Sequence, residues 1–238
     1  MSSETNSAKV HAARSAAELV QSGMTVGLGT GSTAVLLVQR LAERIAQEGL
    51  KIVAVPTSVA TADLARSLNI PLRDVDDAPE LDINSDGADE VDPQYRLIKG
   101  RGGALLREKI VACAAKRRVT IVSPEKIVER LGVGAPLPVE VSRMGTKHVE
   151  RRLQKLGAET QLRRDDRGQA FVTDGGNLII DCRFPGIDDP DALDARLQSV
   201  VGVFETGLFL GLCDLLVIGE PDGARHIETH AHRWTGCA

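Results

Sequence analysis

The run Gly27-Leu28-Gly29-Thr30-Gly31-Ser32-Thr33 joins a short apolar stretch to a helical one, where free backbone N–H groups and the helix dipole attract an anion. Its glycines let a phosphate approach the backbone, and Ser32 and Thr33 add hydroxyl donors. The spacing fits neither a Walker A loop nor a dinucleotide-binding GxGxxG. A tight turn with Ser32 as helix N-cap explains the same residues without a ligand. A second stretch, Asp86-Gly87-Ala88-Asp89-Glu90-Val91-Asp92, follows an apolar strand, at the edge where open α/β sheets take ligands. Ionised Asp86 and Asp89 only accept hydrogen bonds and so suit sugar hydroxyls. The same acids also suit a divalent cation, or simply a solvated Asp-Gly turn.

The third stretch, Lys99-Gly100-Arg101-Gly102-Gly103-Ala104-Leu105-Leu106-Arg107-Glu108-Lys109, reads as a flexible loop feeding a helix. Glu108 could take hydrogen from one carbon and return it to the next, as conversion of an aldose to a ketose requires. Lys99, beside glycine amides, could stabilise the oxyanion that develops. Read alone, Glu108 between Arg107 and Lys109 is most often a solvated surface residue of a charged helix.

These stretches need a scaffold, and the first half supplies an alternation of helical and strand patterns. Helices are expected over 9–20, 33–47, from a Ser58 cap to 68, and over 105–116; strands over 24–28, 51–55, 81–85, near 97 and over 119–122. Such βα winding predicts a parallel sheet covered on both faces. Pro136 and Pro138 then change the texture, and a β–helix–β–β–helix–β pattern over 137–204 predicts a smaller second domain. Its inner hairpin is marked by Asp174-Gly175-Gly176. The apolar segment 215–218 is expected to return to the first domain, which sets boundaries of 1–131 with 208–238 against 132–207.

The composition excludes several classes of function. A net charge of -4 offers no basic face for nucleic acid, so a small molecule is the expected partner. No apolar run reaches membrane-spanning length and the first residues lack a secretory h-region, so a cytoplasmic location without membrane partners is expected. Cys113, Cys182, Cys213 and Cys237 show no CxxC spacing and are expected to be reduced, with no metal site. His226, His230 and His232 could form a metal clip, though tails of this kind are usually solvated; His11 and His148 are read as ordinary side chains.

Taken together, GTGST at 29–33, DGADEVD at 86–92, KGRGGALLREKI at 99–110 and PLPVEV at 136–141 resemble, in this order, the ribose-5-phosphate isomerase A family. The resemblance spans nearly the whole chain. It implies an α/β fold, a Rossmann-like parallel-sheet domain with a smaller α+β, ferredoxin-like domain, assembled as a homodimer or homotetramer. It also implies interconversion of ribose 5-phosphate and ribulose 5-phosphate without cofactor or metal. Position by position, the resemblance places substrate contacts at Thr30, Gly31, Ser32, Thr33, Asp86, Gly87, Ala88, Asp89, Lys99, Gly100, Arg101 and Gly102. Glu108 falls on the proton acceptor, Lys99 on the oxyanion partner, and Asp86 or Asp89 on ring opening. Lys126, from SPEK, is a further sugar-phosphate contact, and Lys9 another for the phosphate unless it is a solvated charge. Arg101 departs from the family's glycine there, which requires its side chain to point away from the sugar. A related amino-sugar phosphate isomerase–deaminase, or a sugar-phosphate sensor, would share the cradle. The sensor would need a DNA-reading module, and none is apparent.

Overall fold

The computed structural model describes residues 3–78 and 80–229, so His230, His232 and Cys237 lie outside the described residues. Contacts divide the chain into two compact units, one of Met1–Ala88, Arg107–Ile127 and Gly211–Ala238, the other of Asp89–Leu106 and Val128–Leu210.

In the first unit the order is α1 (Ser3–Ala17), β1 (Thr25–Leu28), α2 (Ser32–Glu48), β2 (Val53–Pro56), α3 (Val59–Ser67) and β3 (Leu81–Gly87). After residues of the second unit come α4 (Leu105–Cys113), β6 (Ala115–Val122), β12 (Leu215–Glu220) and β13 (Gly223–Glu228). Six strands form one sheet in the order β13-β12-β6-β3-β1-β2. All neighbours are parallel except β12 and β13, whose antiparallel pairing finishes one edge. This arrangement agrees with the expected winding. Side chains explain the helices: Leu37, Val38 and Leu41 form the buried stripe of α2, and Gly49 ends it at φ 71. Ser58 caps α3 by accepting from the Thr61 N–H at 3.1 Å. The alanines of α1, Ala12, Ala13, Ala16 and Ala17, are fully buried, because small side chains let a helix lie close on a sheet.

In the second unit, β7 (Leu137–Val141), α5 (Thr146–Lys155), β8 (Glu159–Leu162), β9 (Leu178–Arg183), α6 (Pro190–Gln198) and β10 (Val203–Thr206) follow the β–helix–β–β–helix–β pattern. They build an antiparallel sheet ordered β10-β7-β9-β8, the ferredoxin-like arrangement. Glu140 of β7, almost fully buried, accepts from Thr173 Oγ1 at 2.8 Å and Asn177 Nδ2 at 3.0 Å, which ties the Asp174-Gly175-Gly176 turn to the sheet.

The partition differs from the sequence boundaries at three segments, 89–106, 128–131 and 208–210, all of which fall in the smaller unit. Residues 89–106 and 208–210 pack with the smaller unit, because β4 (Glu90–Val91), β5 (Leu97–Ile98) and β11 (Leu208–Phe209) pair antiparallel as a third sheet. Pairing between strands this short and this far apart leaves no local pattern. The cysteine expectation also needs correction. Cys182 and Cys213 are free and buried, but Cys113 is disulfide-bonded. Spacing alone gave no sign of that bond.

Candidate functional site

The phosphate-cradle candidate sits where β1 hands over to α2. Gly29 donates its N–H to the Ser85 carbonyl at 3.0 Å, which holds the turn against β3. Gly31 then takes φ 116 and ψ 176, a conformation that L side chains rarely adopt, and stands at the N-cap with no side-chain hydrogen bond. The alternative in which Ser32 caps the helix is therefore not what forms. The Ser32 hydroxyl instead accepts from Lys9 Nζ at 3.1 Å, and Lys9 is only 8% exposed, so it is no solvated surface charge. A cation and the uncapped first turn of α2 thus meet at one place, as an anion site needs.

Thr30 is fixed by hydroxyls that sequence reading did not assign to the site. Its Oγ1 lies 2.7 Å from Thr57 Oγ1, 2.8 Å from Ser58 Oγ and 3.3 Å from Thr61 Oγ1. Thr61 Oγ1 donates in turn to the Gly29 carbonyl at 2.9 Å. The available signal was the polar run Thr57-Ser58 just past β2, at the same carboxyl edge of the sheet.

Asp86, 4% exposed at the end of β3, accepts from the Thr30 N–H at 3.0 Å and the Gly87 N–H at 2.7 Å through Oδ1. Thr30, Gly31, Ser32, Thr33, Asp86, Gly87 and Lys9 are therefore assembled in the first unit. Ala88 follows Gly87 directly. Lys126, half-buried, ends a short 3-10 turn, Pro124–Lys126, beyond β6. Glu108 lies in the first turn of α4 and is 2% exposed, so the solvated-helix reading fails. Val111, three residues on and on the same helical face, is close enough to Gly27 of β1 that an added Cβ would lie 2.8 Å from it. Glu108 thus belongs to the face of α4 that covers the sheet.

The other candidates belong to the second unit. Asp89 donates its N–H to the Ile98 carbonyl at 2.7 Å, and its Oδ2 accepts from the Arg101 N–H at 3.0 Å. Lys99, 5% exposed, donates its backbone N–H to the Gly207 carbonyl at 2.9 Å and places its ammonium 5.2 Å from the centre of the Phe209 ring. The loop through Gly100, Arg101 and Gly102 is pinned rather than flexible. Gly103 donates to the Gly100 carbonyl at 3.0 Å, and Arg163 Nη1 donates to the carbonyls of Gly100 and Arg101 at 2.8 and 3.1 Å. Arg163 was invisible in the sequence as a site residue, for it lies 62 positions from Arg101.

Among the described residues, no group of three or more His, Cys, Asp or Glu side chains is placed to hold a metal ion, and no helix is long and apolar enough to cross a membrane. The carboxylates at 86–92 diverge: Asp86 turns to Thr30, whereas Glu90 accepts from the N–H groups of Gly132, Gly134 and Ala135.

Residues 53–223 match the family model for ribose 5-phosphate isomerase A (phosphoriboisomerase A). The ribose-5-phosphate isomerase A of Roseiflexus sp. (strain RS-1) is 53% identical over 229 residues, covering 96% of this chain and 97% of that protein. That of Gluconobacter oxydans (strain 621H) is 49% identical, covering 94% and 98%. The solved structure of ribose 5-phosphate isomerase A from Methanocaldococcus jannaschii superimposes with a TM-score of 0.90 at 38% identity, covering 94% of this chain and 100% of that one. A D-ribose-5-phosphate isomerase in complex with phospho-erythronic acid gives 0.91 at 36% identity, covering 94% and 99%. With matches of this extent in sequence and fold, the chain belongs to the ribose 5-phosphate isomerase A family.

Proposed function

We propose that this chain interconverts D-ribose 5-phosphate and D-ribulose 5-phosphate through an enediolate, in the non-oxidative branch of the pentose phosphate pathway. The observation that carries the reading is Glu108, a carboxylate 2% exposed on the sheet-facing side of α4 in a chain of this family. Burying a carboxylate is costly, and a site that moves a proton is one place where the cost is justified.

The substrate phosphate docks on the uncapped start of α2, with Ser32, Thr33, Lys9 and Lys126 as its contacts. Asp86 and Asp89 hold sugar hydroxyls and assist opening of the ring. Glu108 removes the C2 proton, electron density moves to the O1 atom, and Lys99 with the Gly100–Gly102 backbone steadies the enediolate. Return of the proton to C1, with transfer of the O2 proton to O1, gives the ketose with no net oxidation. Phospho-erythronic acid, held by a relative, has a planar carboxylate beside a phosphorylated chain and so resembles such an intermediate. A homodimer or homotetramer in the cytoplasm belongs to the same reading and rests on the family resemblance.

The test is incubation of pure protein with ribose 5-phosphate in deuterated water. Ketose with label at C1 is the expected result; partial direct transfer by one base only dilutes the label. Failure to form ketose would overturn the assignment.

A further inference from the structure

In the second unit a cavity of about 280 Å³ has on its walls Asp89, Arg101, Arg163, Asp181 and Arg183. Two of its charges cancel. Arg163 Nε donates to Asp181 Oδ2 at 2.9 Å, Nη2 reaches the other oxygen, and Nη1 is taken by the Gly100 and Arg101 carbonyls. Asp89 is engaged through the Arg101 N–H. The guanidiniums of Arg101 and Arg183 are different, since both are exposed and neither makes an ion pair among the described residues.

Two unpaired guanidiniums on one small concavity repel each other until an anion lies between them. The planar fork of arginine fits a phosphate or carboxylate with two parallel hydrogen bonds. Ala135, Pro136 and Pro138 give the same cavity an apolar wall for a short carbon skeleton. Its volume lies just below the usual range of ligand pockets, roughly 300–1,000 Å³, which favours a small ligand over a nucleotide.

We infer that Arg101 and Arg183 form a second anion site, separate from the α2 cradle, which takes inorganic phosphate or a small phosphomonoester and regulates turnover. Its effect passes through one peptide unit. The residue whose guanidinium meets the anion is the one whose N–H holds Asp89, so occupancy shifts Asp89 and slows the reaction. The regulatory half rests on the function proposed above; the binding half does not. A Gly at 101 would remove half the site, so the departure at this position acquires a use.

Inorganic phosphate is the probe, applied to the full chain by calorimetric titration and as an inhibitor of ribose 5-phosphate turnover. The expected stoichiometry is two phosphates per chain in the parent protein and one in Arg183→Gln. In kinetics, phosphate raises KM and lowers kcat in the parent, but only raises KM in Arg183→Gln, whose activity without phosphate is unchanged. Arg183→Lys, which keeps the charge without the fork, weakens the second site about tenfold and covers the case of a misfolded glutamine variant. One phosphate in the parent, or two retained in both variants, overturns the site. Two phosphates with no isomerase activity overturn the proposed function and leave the site standing; a purely competitive effect with two bound phosphates overturns the regulation.

Discussion

The carboxylate of Asp86 lies directly against the α-carbon of Gly29, so that any β-carbon at residue 29 would run into Asp86 Oδ1 and its carboxyl carbon. Gly27 stands in the same relation to Asn84, two residues back on β3, where an added Cβ would lie 2.5 Å from Asn84 Oδ1. The glycines of the turn thus serve as space for the side chains of the neighbouring strand as much as for a phosphate.

Gly29→Ala is expected to displace Asp86 and to lower kcat by at least about tenfold, with a stability loss of roughly 1–3 kcal/mol from overpacking. Kinetics with urea denaturation checks both. A variant with parental kcat would show that the position of Asp86 does not matter for turnover.

Glu108→Gln preserves shape and hydrogen bonding but cannot accept a proton from carbon. Its kcat is expected to fall on the order of 10²–10⁴, with little change in KM. Near-normal turnover would falsify the role of this residue as the base.

Lys9→Met keeps the aliphatic stem in its buried place and removes only the ammonium that donates to Ser32. If Lys9 holds the phosphate, KM should rise about tenfold or more, equivalent to roughly 1.4 kcal/mol, while kcat changes little. A drop in thermal stability with KM unchanged would reduce Lys9 to a structural lysine.

Glu90 accepts from the backbone N–H groups of Gly132, Gly134 and Ala135 at 2.6, 2.6 and 2.7 Å, and it is 2% exposed. Hydrogen bonds to a charged group contribute about 1.5–3 kcal/mol each and do not simply add. Glu90→Ala should therefore cost at least about 3 kcal/mol, read as a lower urea midpoint at constant slope. A shift below about 1 kcal/mol would mean that the 132–135 turn holds itself.

Burial pushes the thiols of Cys182 and Cys213 up from 9.0, to about 12 and about 11. The neutral thiol is favoured in the fold, so this stabilisation is complete below the unfolded value near 9 and is lost as pH rises through the folded values. Stability should decline from pH 9 to 11, with a shallower decline in Cys182→Ala than in the parent. Equal slopes would mean that other groups govern the alkaline limb.

Much of this molecule was legible in the linear chain. Helix and strand alternation over residues 9–122 anticipated β1, β2, β3, β5 and β6 but not β4, and the sequence of six elements after Pro136 anticipated the antiparallel sheet, because periodicity and turn residues are local properties. The four motifs likewise pointed to the family, since glycine, acid and lysine spacing carries the chemistry directly. Tertiary structure alone decided the rest. It buried Glu108 and Lys9, which charge and position marked as surface, and it replaced the Ser32 cap with a lysine contact. It joined Thr30 to three hydroxyls, two from the turn between β2 and α3 and one from α3, moved residues 89–106 into the smaller unit, and bonded Cys113 as a disulfide. Each of these depends on which distant segment a residue meets. That choice is made by the packing of whole elements, and neighbours in sequence hold no record of it.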